Sequence, residues 1–133
     1  MKKKKDTFVR TGKLTITCKN KLKLSDIGDC DIVIYMSEQG KVPHIHIIGI
    51  DNQFESCICL YEPKYYSHDI KINTLTDQQI LEFSSFMNEK QLYVSNYSEA
   101  LTSWNVNIGT KFCKPIRKMP DYNKLHNKKF INS

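Results

Sequence analysis

The sequence predicts an α+β domain: a small, mostly antiparallel sheet with two helices packed on one face and basic terminal tails. Three observations predict it. Apolar and polar residues alternate with period two through 13–24. Short, nearly continuous apolar runs follow at 31–36, 42–50 and 54–61. Two later stretches, each behind a helix-start signal, change to the helical period. At 133 residues, 40% hydrophobic and 26% charged, the chain can bury one core and is too apolar for disorder. One domain over 1–133 is expected, with irregular tails at 1–12 and about 114–133.

The elements follow in order. Leu14, Ile16, Cys18, Leu22 and Leu24 line one side of an extended segment, opposite Lys13, Lys21 and Lys23. A turn at Lys19-Asn20-Lys21 makes this segment a hairpin without changing the buried face. Asp31 to Met36 reads as a strand covered on both faces. Pro43 lacks a backbone donor and so opens the strand that runs to Ile50. Asp51-Asn52 joins this strand to 54–61 as a hairpin. Thr76-Asp77-Gln78-Gln79 is a capping-box start, followed by Ile80, Phe83 and Met87 at helical spacing. Asn96 to Glu99 repeats the start for a shorter helix carrying Tyr97, Ala100, Leu101 and Trp104 on one side. Beyond Gly109, prolines and lysines predict a strand fragment and then an irregular tail.

The net charge of +6 is unevenly spread: +8 over 1–24, −8 over 25–110 and +6 over 111–133. Basic ends on an acidic body either meet an external polyanion or fold back onto the body's own carboxylates. Candidates for contact with a nucleic acid or another partner are Lys2, Lys3, Lys4, Lys5, Lys114, Arg117 and Lys118. The N-terminal lysines precede no apolar stretch of signal-peptide kind, and no window is apolar enough for a membrane span. The five cysteines are odd in number and lack Cys-x-x-Cys spacing, which predicts free thiols in a reducing, cytoplasmic setting with no membrane contact.

The hairpin of 42–50 and 54–61 carries the chemistry. With a two-residue loop, His46 faces Cys57 and His44 faces Cys59. Ile45, Ile47, Ile58 and Leu60 then share the opposite face, because a one-residue slip exchanges the faces. His44, His46, Cys57 and Cys59 are zinc ligand types, although residues two apart on a strand are ~6.6–6.8 Å apart and do not readily converge on one ion. The plainer expectation is hydrogen-bonded histidines and cysteines acting as small hydrophobes, with no cofactor required.

A sharper alternative comes from resemblance. Pro43-His44-Ile45-His46 looks like the His-hydrophobe-His strand of rolling-circle replication and relaxase nucleases. That likeness implies magnesium or manganese on His44 and His46 and a tyrosine nucleophile, Tyr97 or Tyr93. The same residues, with the apolar strand 31–36 and the turn before them, also resemble a family of uncharacterised small bacterial proteins. Those have a Pro-His-x-His strand and are often encoded near toxin–antitoxin modules or on mobile elements; the likeness covers about residues 30–105. Val42 stands where a second proline is usual, and Cys57, Cys59 and the basic ends are additions. The resemblance implies an accessory role and carries no activity. The expected function is thus a non-enzymatic binding protein of a bacterial or phage mobile element, contacting a protein or nucleic acid. The alternative is a metal-dependent nicking enzyme for single-stranded DNA.

Overall fold

A computed structural model describes residues 12–18, 20–38, 42–49, 53–67, 71–108 and 118–131. The fold is α+β. Nine strands are present among these residues: β1 (Lys13–Thr15), β2 (Leu22–Leu24), β3 (Gly28–Tyr35), β4 (His44–Gly49), β5 (Glu55–Cys59), β6 (Tyr65–Tyr66), β7 (Lys90–Gln91), β8 (Val94–Ser95) and β9 (Phe130–Ile131). Two α-helices accompany them, α1 (Asp77–Asn88) and α2 (Asn96–Asn107), with 3-10 turns at Met36–Glu38 and Tyr122–Asn127. The main sheet runs β1-β3-β4-β5-β6-β9, with β2 also paired to β3. All its pairings are antiparallel except β6 with β9.

The first segment differs from expectation. β1 and β2 do not form a hairpin with each other. Both pair antiparallel to β3, Leu14 opposite Ile34 and Leu22 opposite Cys30, so they run in the same direction along one edge. β3 is long enough to accept both, and it is the better partner because its apolar run offers two buried faces. A tight turn follows at Ser25–Ile27, as Ser25-Asp26-Ile27-Gly28-Asp29 predicts, and Gly28 just after it takes a φ of +90° that a side chain would resist.

β4 and β5 pair in the even register: His44 opposite Cys59, Ile45 opposite Ile58 and His46 opposite Cys57. Ile45, Ile47, Ile58 and Leu60 are buried in the main core with Ile80, Phe83 and Met87 of α1 and Leu101 and Trp104 of α2. Each such side chain contributes about 1.5–3 kcal/mol when it leaves water. The opposite face of the sheet is also covered, by smaller clusters of Val33, Tyr35 and Ile48 and of Cys57, Cys59 and Tyr66.

The helix starts rest on local chemistry. Thr76 and Gln79 form the predicted reciprocal capping box. α2 begins one residue earlier than its sequence signal, with Ser95 as cap accepting from the Ser98 amide. Asn96 is freed to donate its side-chain amide to the Phe86 carbonyl, tying the two helices together. The helices are equally long, 12 residues each, and a small β7–β8 hairpin joins them. α1 is also fixed to the β2–β3 turn, where Gln79 Nε2 donates to the Ser25 carbonyl at 2.6 Å and Glu82 accepts from the Ser25 amide and hydroxyl.

Composition pointed to an irregular C-terminal tail. Residues 121–131 instead cap the domain, because Tyr122 and Leu125 give that segment its own buried anchors. The Tyr122 hydroxyl donates to the Cys59 carbonyl at 2.8 Å, and β9 lies beside β6. Among the described residues no helix is long and apolar enough to cross a membrane.

Candidate functional site

His44 and His46 lie two residues apart on β4, so strand geometry sends both imidazoles to the face opposite the main core. A flat pair of rings would have no common focus. Glu38 supplies it. The 3-10 turn that ends β3 places this carboxylate, fully buried, between the two rings. Glu38 Oε2 is 3.0 Å from His44 Nε2, while Oε1 and Oε2 are 2.9 and 3.2 Å from His46 Nε2.

The other ring nitrogens are also engaged. His44 Nδ1 donates to the Val42 carbonyl at 2.7 Å. His46 Nδ1 lies 2.7 Å from Glu55 Oε2 on β5, with Cys57 Sγ at 3.2 Å. Aromatic rings wall the cluster. Tyr66 stacks on His44 at 3.8 Å and 4°, and Tyr35 meets His46 edge-on at 4.9 Å. Trp104 of α2 lies 5.2 Å from His44.

The two histidines titrate in opposite directions. Burial holds His44 below its ordinary value, more than its bond to Glu38 raises it. Burial also pushes His46 down, but hydrogen bonds with Cys57, Glu38 and Glu55 reverse this and lift it to about 11. Burial raises the Cys57 thiol, partly opposed by His46, and raises Cys59 to about 12. Both sulfurs are therefore protonated at neutral pH and poor nucleophiles.

Of the residues the sequence suggested, the structure brings His44 and His46 together and leaves the four-ligand set with Cys57 and Cys59 unassembled. Cys57 sits at the Nδ1 side of His46, whereas both Nε2 atoms point to Glu38. Cys59 packs with Tyr66 in an apolar cluster. The groups with metal-binding spacing among the described residues are Glu38–His44–His46 and His46–Glu55–Cys57. Tyr97 is buried, and its hydroxyl donates to the Leu60 carbonyl. Tyr93 is 94% exposed on the β7–β8 tip. Cys18, Cys30, Cys57 and Cys59 are free thiols, and Cys113 lies outside the described residues.

Lys2, Lys3, Lys4, Lys5, Lys114 and Arg117 also lie outside the described residues, and Lys118 is exposed. Part of the N-terminal basic segment folds back on the body: Lys21 pairs with Asp31 at 2.6 Å and Lys23 with Asp29 at 3.5 Å. Such exposed pairs contribute about 0–1 kcal/mol.

Glu38 escaped sequence reasoning because Ser37-Glu38-Gln39-Gly40 reads as a polar turn. One signal was there. An acidic residue inside the short connection between two paired strands has to lie close to the start of the second, where His44 stands. Comparisons with family models, curated proteins and solved structures found no match for this chain. The functional reading therefore rests on geometry.

Proposed function

We propose that this chain is a non-enzymatic binding module that docks a protein partner through the tip of the β7–β8 hairpin. The observation that carries this is the tip itself. Leu92 and Tyr93 are 92% and 94% exposed, and Leu92 has a φ of +59°, in the left-handed region that non-glycine residues rarely occupy. Two large apolar side chains in water, one on strained backbone, make a costly arrangement for a mere connector. Strain at an exposed residue is a pointer to function, and an aromatic anchor with an aliphatic neighbour suits a pocket on a protein. The groups able to do chemistry are on the inside: Glu38, His44, His46, Cys57 and Cys59 are all buried. The bacterial mobile-element setting implied by the sequence resemblance is compatible with such an accessory role.

A photo-reactive phenylalanine at position 93 in the full chain, expressed in its native host, tests the reading. The expected result is a discrete protein adduct that survives nuclease and is lost when Leu92 is replaced by Ser. A nuclease-sensitive adduct would move the partner to nucleic acid, and no adduct at all would sink the hairpin.

The metal-dependent nicking enzyme remains a second reading, favoured by Glu38 as a third polar group beside His44 and His46. Against it stand the burial of both histidines and the commitment of the Tyr97 hydroxyl to a carbonyl. Single-stranded DNA with manganese decides between them. A covalent protein–DNA adduct, abolished by Tyr97→Phe, would replace the binding reading.

A further inference from the structure

We propose that Glu38, His44 and His46 hold one divalent first-row transition-metal ion of the zinc or iron(II) kind, with Glu55 and the Val42 carbonyl orienting the ligands. This goes beyond the docking role and stands whether or not the hairpin tip binds a partner. It begins with hydrogen-bond bookkeeping. A carbonyl oxygen only accepts, so His44 must carry its proton on Nδ1 to bond Val42. The carboxylate at His46 Nδ1 likewise takes that nitrogen's proton in its bond. Both Nε2 atoms then point at the Glu38 carboxylate. Two imidazole nitrogens and a carboxylate, brought from two separate elements, thus converge on one point.

Protons or a metal ion can occupy that point. Protons can sit on one ring or on both. On both at once they would set two imidazolium charges on rings whose centroids are 5.3 Å apart, in a buried site where like charges oppose one another. A single divalent cation instead brings two charges that match the carboxylates of Glu38 and Glu55. The distances suit it. With ligand bonds of ~2.0–2.2 Å, neighbouring donor atoms of a tetrahedron or octahedron lie ~2.9–3.5 Å apart. The Nε2-to-carboxylate separations here are 2.9, 3.0 and 3.2 Å, and all the donor atoms lie within 4.8 Å of one another.

The surroundings point the same way. Metal-binding histidines commonly donate their other N–H to a carboxylate or backbone carbonyl, and His46 and His44 do one of each. Two imidazoles and a carboxylate suit zinc, iron or cobalt, whereas calcium and magnesium prefer oxygen ligands alone. Glu55, at 19% side-chain exposure, links the cluster to the surface and gives an ion a way in. Cys57 and Cys59 stay outside the coordination shell on this geometry.

The test uses the full chain, stripped with chelator and dialysed. Zinc is titrated calorimetrically in buffers of different ionisation heat, and cobalt is followed by its visible spectrum. The proposal expects one ion per chain, release of protons on binding, and a cobalt spectrum without the intense sulfur-to-metal charge-transfer band. Glu38→Gln should weaken zinc at least ~10-fold, and Cys59→Ser should leave it unchanged. Should Glu38→Gln fold poorly, the wild-type cobalt spectrum still decides. A strong sulfur band, or no binding of either ion at millimolar concentration, overturns the proposal.

Discussion

The β4–β5 hairpin has two faces built from alternate residues of the same strands, and they are held together by different means. On one side Ile45, Ile47 and Ile58 meet the helices in the main core. Their contribution is non-directional and scales with the area removed from water. On the other side His44 and His46 are also wholly buried, but polar atoms in a core must be matched one by one. The apolar face therefore tolerates reshaping of similar volume, whereas the polar face depends on a single carboxylate brought from another element.

That difference can be broken from either side. Ile58→Ala should cost about 2–5 kcal/mol in chemical unfolding, equally with zinc or with chelator, because only packing is lost. His44→Ala should cost about 1–3 kcal/mol in the stripped protein, through the stranded Val42 carbonyl. The wild-type protein should gain stability on adding zinc and the His44→Ala protein should not. Equal zinc responses in the two would dissolve the distinction between the faces.

Ser56 sharpens the contrast. It lies opposite Ile47 on the apolar side, fully buried, and its hydroxyl has no hydrogen-bond partner among the described residues. Ser56→Ala should leave stability unchanged or raise it by up to about 1 kcal/mol, since an unmatched hydroxyl is removed. A clear loss would mean that the hydroxyl is matched after all.

The smallest effect belongs to the surface. Slight burial tends to raise the Glu82 carboxyl, but its bonds from Ser25 and Gln78 hold it below the ordinary value of 4.5. A depressed folded-state value means that its contribution is present above pH about 4.5 and is lost as the pH falls through the folded value. Wild type and Glu82→Gln should therefore differ in unfolding midpoint at pH 7 and converge toward pH 3. A gap that widens on acidification would contradict the assignment.

How much of this could be read in the sequence follows from the same contrast. Period two and one preferred loop length pointed to the register of β4 against β5, including His44 opposite Cys59, because a slip would take Ile58 off the face it shares with Ile45 and Ile47. The α1 capping box was equally legible, since all its parts lie within four residues. The pairing of β2 was misread because alternation says which residues share a face and nothing about which strand lies alongside. The C-terminal anchors Tyr122 and Leu125 were hidden among lysines and asparagines, where two buried side chains make no period. Glu38 was missed for a related reason: a lone acid in a turn acquires meaning only once the strands on either side are placed.

The protonation state of the two imidazoles tests the central claim most directly. Long-range proton–nitrogen NMR of the zinc-treated full chain reports each ring nitrogen separately. The account predicts that His44 and His46 both carry hydrogen on Nδ1 alone, with Nε2 of each shifted as a metal-bound nitrogen. Two rings protonated on both nitrogens in the presence of zinc would show that protons fill the centre and that Glu38 holds no ion.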